Sequence, residues 1–119
     1  MTENVMSDCL FCNIATGTIQ SDVVYEDDNV IAFNDINPQA PTHVLIVPKR
    51  HISTLNDLTS ADELIVGHLV RSATTIAASL GHAENGYRTV FNCNKAAGQT
   101  VFHIHLHLLA GRQLDWPPG

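Results

Sequence analysis

The chain has 119 residues, 45% of them hydrophobic, which suits one domain with a single core and is too short for two domains of ordinary size. No apolar run approaches the roughly 20 residues of a membrane helix, so we expect no membrane span. Twelve acidic against six basic residues give a formal net charge of -6, which repels polyanions and argues against nucleic-acid binding.

The first eight residues are polar and partly acidic, unlike the basic and then apolar start of a secretory signal. We expect residues 1–8 to be a flexible segment ahead of a single domain. Three cysteines in a chain of this kind fit a reducing compartment, so we expect a cytoplasmic protein with thiols available for metal binding.

Three strands are predicted first along the chain. Residues 23–26 and 30–33 are rich in β-branched and aromatic side chains and are separated by turn-forming residues, which predicts a hairpin. The apolar run at residues 44–47, bounded by Pro48, predicts a third strand that is buried.

The hydrophobic period changes from Ser60 onward to spacings of three and four residues, which predicts the main helix. Ser60 and Glu63 have the spacing of a capping box, and Gly81 ends the helix. Residues 87–92 and 102–109 then predict two more strands. Strands, one helix and again strands favour an α+β fold with an antiparallel sheet over a doubly wound parallel fold.

The residues that point to chemistry are the alternating histidines His103, His105 and His107. Side chains alternate between the faces of a strand, so the three imidazoles are predicted on one face, with Ile104 and Leu106 on the other. Neutral imidazole is a good nucleophile near pH 7 when its second nitrogen donates to a fixed acceptor. Two other interpretations remain open here, namely core histidines bonded to backbone carbonyls and a histidine metal site.

The sequence resembles the histidine triad family, and within it the branch of nucleotide-binding nucleoside phosphoramidases. The family signature of alternating histidines and apolar residues corresponds to residues 103–109. Further similar segments are residues 32–43, 47–52, 98–102 and the ending at 111–119.

The resemblance implies a homodimer in which two five-stranded antiparallel sheets join, each chain having one main helix and a short N-terminal helix. It implies hydrolysis of purine nucleoside 5′-phosphoramidates without an organic cofactor. By the same resemblance, His105 is the nucleophile and forms a nucleotidyl-histidine intermediate, His107 hydrogen-bonds the phosphoryl oxygens, and His43 lies next to the nucleophile as a candidate for proton transfer to the leaving amine.

The resemblance also implies a binding site for the nucleotide. Asp35 matches the ribose ligand, and its carboxylate can accept from both hydroxyls of a cis-diol. Around the phosphate, the matching positions supply neutral donors from side chains and from backbone N–H groups: Asn92, Gly98, Gln99 and Thr100. The apolar slot for the base matches Phe11, Ile14, Ile19, Phe33 and Ile36.

Cys9 and Cys12 form a Cys-x-x-Cys pair, which on its own is weak evidence for either zinc or a redox site. Bacterial members of the family bind zinc through such a pair, the histidine of a Pro-Lys-x-His segment and the first histidine of the triad. Those positions are Cys9, Cys12, His51 and His103, so the resemblance implies structural zinc and assigns His103 to the metal.

Two other functions remain open at this point. The same histidines would support a dinucleoside polyphosphate hydrolase, because that reaction also starts with attack on an α-phosphorus. The ending Trp116-Pro117-Pro118-Gly119 favours the phosphoramidase branch, in which this tail lies near the dimer interface and reaches toward the partner's active site. A non-catalytic, zinc-stabilised nucleotide-binding module would bind nucleotide without turnover.

Overall fold

A computed structural model describes residues 8–119 of the chain. The expectation of a flexible segment at residues 1–8 therefore lies outside the described residues, apart from Asp8. Within the described residues the α-helices are α1 (Leu10–Ala15) and α2 (Glu63–Ser79). The strands of residues 8–119 are β1 (Val23–Glu26), β2 (Val30–Asn34), β3 (Thr42–Pro48), β4 (Arg88–Phe91) and β5 (Leu106–Ala110).

The strands form one antiparallel sheet in the order β1-β2-β3-β5-β4, which confirms the predicted α+β class. The hairpin is confirmed as well, since β1 pairs with β2 on either side of the 27–29 turn. Within this turn the Asp27 carboxylate accepts the backbone N–H groups of Asn29 and Val30 at 2.8 and 3.0 Å. An aspartate that bonds its own following backbone in this way is a standard turn device.

The two faces of the sheet are covered unequally. The apolar stripe of α2, centred on Leu69 and Ile76, packs against Ile46 and Leu108 and forms the larger hydrophobic cluster. On the opposite face the short helix α1 packs Phe11 onto the sheet in a smaller cluster. Six residues of helix cover only part of that face, and the remainder carries the polar residues of the site described below.

Two predicted boundaries are wrong. The last strand begins at Leu106, not at residue 102, because the N–H of Ile104 donates to Ile52 O at 2.7 Å instead of to a sheet neighbour. The capping box before α2 uses Thr59 and Asp62, one residue earlier than Ser60 and Glu63, and it opens a 3-10 turn that leads into the helix. No helix among the described residues is both long and apolar enough to cross a membrane.

Candidate active site and metal centre

The histidine row lies on the side of the sheet that α1 covers. His107 pairs with Leu45 in the β3–β5 ladder, so it shares a face with the smaller cluster. His103 and His105 precede the strand, yet their rings stay on that side, where both contact Phe11 with ring centroids 6.0 and 5.0 Å apart. Ile104 and Leu106 belong to the core on the other side. The predicted separation of imidazoles from apolar residues is therefore present, although the strand is shorter than expected.

His105 has a single possible tautomer when neutral. Its Nδ1 lies 2.8 Å from the carbonyl oxygen of His103, and because a carbonyl can only accept, Nδ1 carries the proton. The lone pair is then on Nε2. Burial lowers the pKa of His105 below its ordinary value, so the ring is neutral near pH 7. This arrangement meets the chemical requirement for a nucleophilic imidazole.

His43 and His107 form a hydrogen-bonded pair next to it. Nε2 of His43 lies 2.9 Å from Nδ1 of His107 and 3.4 Å from a carboxylate oxygen of Asp35. Burial lowers the pKa of His107 to about 4 and lowers the pKa of His43 as well. The ring of His43 contacts that of His107, at 5.2 Å between centroids, and the ring of His107 contacts that of His105 at 5.0 Å.

A cavity of about 400 Å³ opens in front of these rings. His105, His107, Asp35 and Thr100 are among the residues that line it. All five residues predicted for the base slot line it too, although Ile36 is fully exposed at the rim. Six further lining residues were not predicted, because apolar and small polar side chains have no sequence signal that separates a pocket wall from ordinary core or loop: Leu10, Gln20, Ser21, Asn34, Leu45 and Val101.

The loop predicted to surround a phosphate is held mainly by its own bonds. The side chain of Gln99 is buried and bonds the N–H of Asn94 and the carbonyls of Ser53 and Val101. The N–H groups of Gly98 and Gln99 donate to Lys95 and Asn94 within the loop. Asn92 directly follows β4 and is half-buried. Of the four residues predicted here, Thr100 is the one that lines the cavity.

A second cluster gathers Cys9, Cys12, His51 and His103, with one ligand atom from each and all four atoms within 4.8 Å of one another. Cys9 is the N-cap of α1 and accepts the N–H of Cys12, so the Cys-x-x-Cys spacing brings both sulfurs to the start of this helix. The four residues predicted as metal ligands are thus brought together, and they form a candidate metal centre.

The distances in this cluster match those around a tetrahedral metal ion. Zinc bonds of about 2.3 Å to sulfur and about 2.0 Å to nitrogen place ligand atoms roughly 3.3 to 3.8 Å apart. Nδ1 of His103 lies 3.4 and 3.5 Å from the two sulfurs, and 3.2 Å from Nδ1 of His51. Nδ1 of His51 lies 3.2 Å from Sγ of Cys12. The residues present therefore fit a zinc ion in spacing.

The tautomers fit as well. Nε2 of His103 lies 2.7 Å from the carbonyl of Pro48 and must donate to it, which leaves Nδ1 with its lone pair toward the sulfurs. His103 is fully buried, and desolvation lowers its pKa to about 4. Nε2 of His51 has the hydroxyl of Ser53 at 3.1 Å as a partner. His103 is thus set to coordinate through Nδ1, and Nδ1 of His51 faces the same cluster.

Asp35, His43 and His107 also lie within 4.8 Å of one another, but hydrogen bonding accounts for this group. The backbone N–H of Gln39 donates to Nδ1 of His43 at 3.0 Å. The lone pair of neutral His43 is therefore on Nδ1, and Nε2 holds the proton. A nitrogen that carries a proton does not bind a metal, so this cluster is a chain of hydrogen bonds.

Comparison with known proteins gives consistent matches. Residues 16–114 match the HIT domain. The chain is 50% identical over 105 residues to the purine nucleoside phosphoramidase of Escherichia coli strain K12, which covers 88% of each chain. It is 49% identical over 112 residues to an uncharacterized HIT-like protein of Synechococcus elongatus, covering 94% of this chain and 97% of that one. A crystal structure of a HIT family hydrolase from Legionella pneumophila superposes with a TM-score of 0.93 at 54% identity, covering 94% of this chain and all of that one.

Proposed function

The chain belongs to the histidine triad (HIT) family, and from that premise we propose that it hydrolyses the phosphorus–nitrogen bond of purine nucleoside 5′-phosphoramidates. The observation that carries the proposal is His105, a neutral imidazole in the wall of a largely apolar cavity, with Nδ1 committed to a backbone carbonyl and Nε2 left with its lone pair. The E. coli relative, which bears the name of this activity, supports the substrate class.

The cavity offers a different chemistry to each part of such a substrate. Phe11, Ile14 and Phe33 supply an apolar wall for a purine ring. Asp35 also lines the cavity, and its carboxylate suits the hydroxyls of a ribose. Its Oδ1 accepts the N–H of Asn37 at 2.8 Å, which holds the carboxylate in place. With base and ribose bound in these positions, the α-phosphorus comes to His105 and His107.

In the proposed first step, Nε2 of His105 attacks the α-phosphorus, the bond from phosphorus to the amine breaks, and the amine leaves with one added proton. In the second step, water attacks phosphorus, the bond from phosphorus to His105 breaks, and the nucleoside monophosphate departs. His107 donates to the phosphoryl oxygens, where charge develops. Removing a single fixed donor at such a position typically costs about 10²- to 10³-fold in rate.

The hydrogen-bond chain orients a donor toward the phosphoryl group. Since Nε2 of His43 holds a proton and faces Nδ1 of His107, His107 carries its own proton on Nε2, where it can donate to a phosphoryl oxygen. Asp35, 3.4 Å from Nε2 of His43, favours the proton on that nitrogen. Both rings are neutral with one proton each, so in this proposal the leaving amine takes its proton from solvent water, and the water that attacks phosphorus in the second step returns one proton to solvent.

We propose that the Cys9, Cys12, His51 and His103 centre binds structural zinc. Bound zinc would tie the start of α1 to the histidine row and stabilise the fold. His103 donates to Pro48 and accepts from His105 through its carbonyl. It therefore acts as an anchor, and the chemistry stays with His105, His107 and His43.

The resemblance supports a homodimer, and two features of this chain suit one. Strand β4 lies at an edge of the sheet, where a second sheet can join. Arg88 on this strand donates to the carbonyls of Leu114 and Asp115, which holds the tail at that edge, and Trp116 is 82% exposed.

We also propose that the protein is cytoplasmic, because a reducing compartment keeps the thiols of Cys9 and Cys12 able to bind zinc.

The experiment measures release of the amine and of the monophosphate from adenosine 5′-phosphoramidate by the purified protein. Replacing His105 by Ala should lower kcat by about 10³-fold or more. His68→Ala is the matched control, because His68 lies on α2, bonds Asp27 and does not line the cavity. Wild type and His105→Ala with the same turnover would contradict the nucleophile, and nucleotide binding without turnover would instead identify a binding module.

A dinucleoside polyphosphate hydrolase remains the second candidate, since His105 could attack an α-phosphorus in either substrate. The cavity of about 400 Å³ has room for one nucleotide, which favours a small leaving group. Assays of a diadenosine polyphosphate under the same conditions separate the two. A kcat/KM higher than that for the phosphoramidate would favour the second candidate.

A further inference from the structure

The tail that follows β5 reaches back to the catalytic histidines through one peptide group. Arg112 donates from Nε to the carbonyl of Gln39 at 3.0 Å, and the N–H of Gln39 donates to Nδ1 of His43 at 3.0 Å. We propose that Arg112 is a positioning residue for the reaction. It holds the Gln39 peptide so that His43 keeps its proton on Nε2, facing His107. This inference rests on the proposed function for its kinetic part only, since the tautomer of His43 can be observed without substrate.

The link between Gln39 and His43 is selective for one state of the ring. With the lone pair on Nδ1, the imidazole accepts the Gln39 N–H at a normal length. If Nδ1 were protonated, two N–H donors would face each other over that distance. The Gln39 peptide therefore disfavours both the other neutral tautomer and the protonated ring.

The tautomer of His43 also determines the tautomer of His107. Nε2 of His43 can donate to Nδ1 of His107, 2.9 Å away, only when it holds the proton. His107 then has its own proton on Nε2, which is the arrangement required of a donor to phosphoryl oxygens. One backbone amide outside the cavity thus fixes the protonation pattern of two rings, one of which lines it.

The Gln39 peptide needs support because it lies in an irregular segment between β2 and β3. Within this segment the side chain of Gln39 bonds Asn37 O at 3.0 Å. From outside this segment, Arg112 donates to the Gln39 carbonyl, and a second hydrogen bond from its guanidinium to Gln113 O at 2.8 Å holds the side chain in place. Gly111, at a φ of +97°, passes so close to Pro41 that a Cβ there would lie 2.9 Å from the proline ring. This close approach directs the backbone so that the Arg112 side chain reaches the Gln39 carbonyl.

The charged and titratable groups that face His43 are few. Asp35 lies 3.4 Å from Nε2 on one side, and His107 lies 2.9 Å away on the other. His105 is one ring further along, with its centroid 5.0 Å from that of His107. Asp35 favours a charged His43, whereas the Gln39 N–H opposes it. Loss of Arg112 should therefore shift the balance toward Nδ1 protonation.

The test compares wild type, Arg112→Ala and Arg112→Lys, with Arg71→Ala on the exposed face of α2 as a control that removes the same charge elsewhere. Nitrogen-15 NMR of the histidine rings reads the His43 tautomer, and kcat is measured against pH with adenosine 5′-phosphoramidate. In Arg112→Ala we expect a mixture of tautomers at His43 and a kcat lower by about tenfold, the scale of one lost hydrogen bond. KM should change by less than about twofold, and the acid limb of the kcat profile should move to higher pH.

Arg112→Lys should recover part of the kcat, since an ammonium can also bind the Gln39 carbonyl, and Arg71→Ala should match wild type. A wild-type spectrum with the proton of His43 on Nδ1 would overturn the proposal without any variant. So would Arg112→Ala with an unchanged tautomer and at least half of the wild-type kcat. If wild type fails to hydrolyse the substrate, the proposed function fails, and the NMR result still decides the positioning of His43.

Discussion

The carbonyl oxygen of His103 accepts the Nδ1 proton of His105 at 2.8 Å. This bond joins the candidate metal centre to the proposed nucleophile within three residues of chain. The His103 ring is fixed on its other side by Pro48, so a metal ion held at Nδ1 would stiffen the backbone that orients His105. The candidate metal centre and the proposed nucleophile are therefore adjacent without sharing a ring.

Zinc removal should destabilise the protein. Replacing both Cys9 and Cys12 by Ser should abolish the binding of one equivalent of zinc and lower Tm by about 10 °C, because a closed metal site contributes directly to folding free energy. Elemental analysis and differential scanning calorimetry provide the two measurements. Cys93→Ser is the control, since Cys93 lies outside the cluster. Wild-type protein that is free of zinc after purification and gains no Tm on zinc addition would disprove the centre.

His107→Ala should lower kcat by about 10²-fold or more, because the proposed fixed donor to the phosphoryl oxygens is lost together with the acceptor of the His43 hydrogen bond. KM should change much less, since in the proposed binding mode the base and ribose contact other residues of the cavity. Steady-state kinetics on the phosphoramidate measure both constants. A kcat within threefold of wild type would show that His107 is not part of the machinery.

Low pH should destabilise the fold through His107. Burial lowers the pKa of His107 to about 4, against 6.5 for an unperturbed ring, so the unfolded chain binds this proton more readily than the folded chain. The stability contribution of the neutral ring is complete above pH 6.5 and is lost as pH falls toward 4. Urea unfolding between pH 7.5 and 4.5 measures the free energy of unfolding of wild type and His107→Gln. This free energy should depend less on pH in the variant. Equal slopes would contradict the buried neutral state.

The close approach of Gly111 to Pro41 predicts a pair of opposite glycine effects. Gly111→Ala should lower the free energy of unfolding by about 2 kcal/mol or more, since it combines a positive φ with a Cβ at 2.9 Å from Pro41. Gly67 lies in α2, where an added Cβ has open space around it, so Gly67→Ala should raise the free energy of unfolding by about 0.5 to 1 kcal/mol. Chemical denaturation measures both. Equal changes in the free energy of unfolding for the two variants would show that the tail does not pack on Pro41 as described.

The strands and the main helix could be predicted from the sequence, because apolar periodicity is a local signal, whereas the grouping of the metal ligands followed from the resemblance to the histidine triad family. The sequence-based prediction misplaced the start of β5, since the contact from Ile104 to Ile52 is tertiary. It also misplaced the capping box, because Thr59 and Asp62 have the same spacing and chemistry as Ser60 and Glu63. The role of Gln39 could not be predicted at all, since the donor is a backbone amide and every residue except proline has one.

In the proposed mechanism the phosphorus is attacked twice, first by His105 and then by water. The stereochemistry at phosphorus tests this directly, using a chiral thio-substituted adenosine phosphoramidate hydrolysed in isotopically labelled water. Two in-line displacements predict retention of configuration in the product. Inversion would mean a single attack by water and would contradict the covalent nucleotidyl-His105 intermediate.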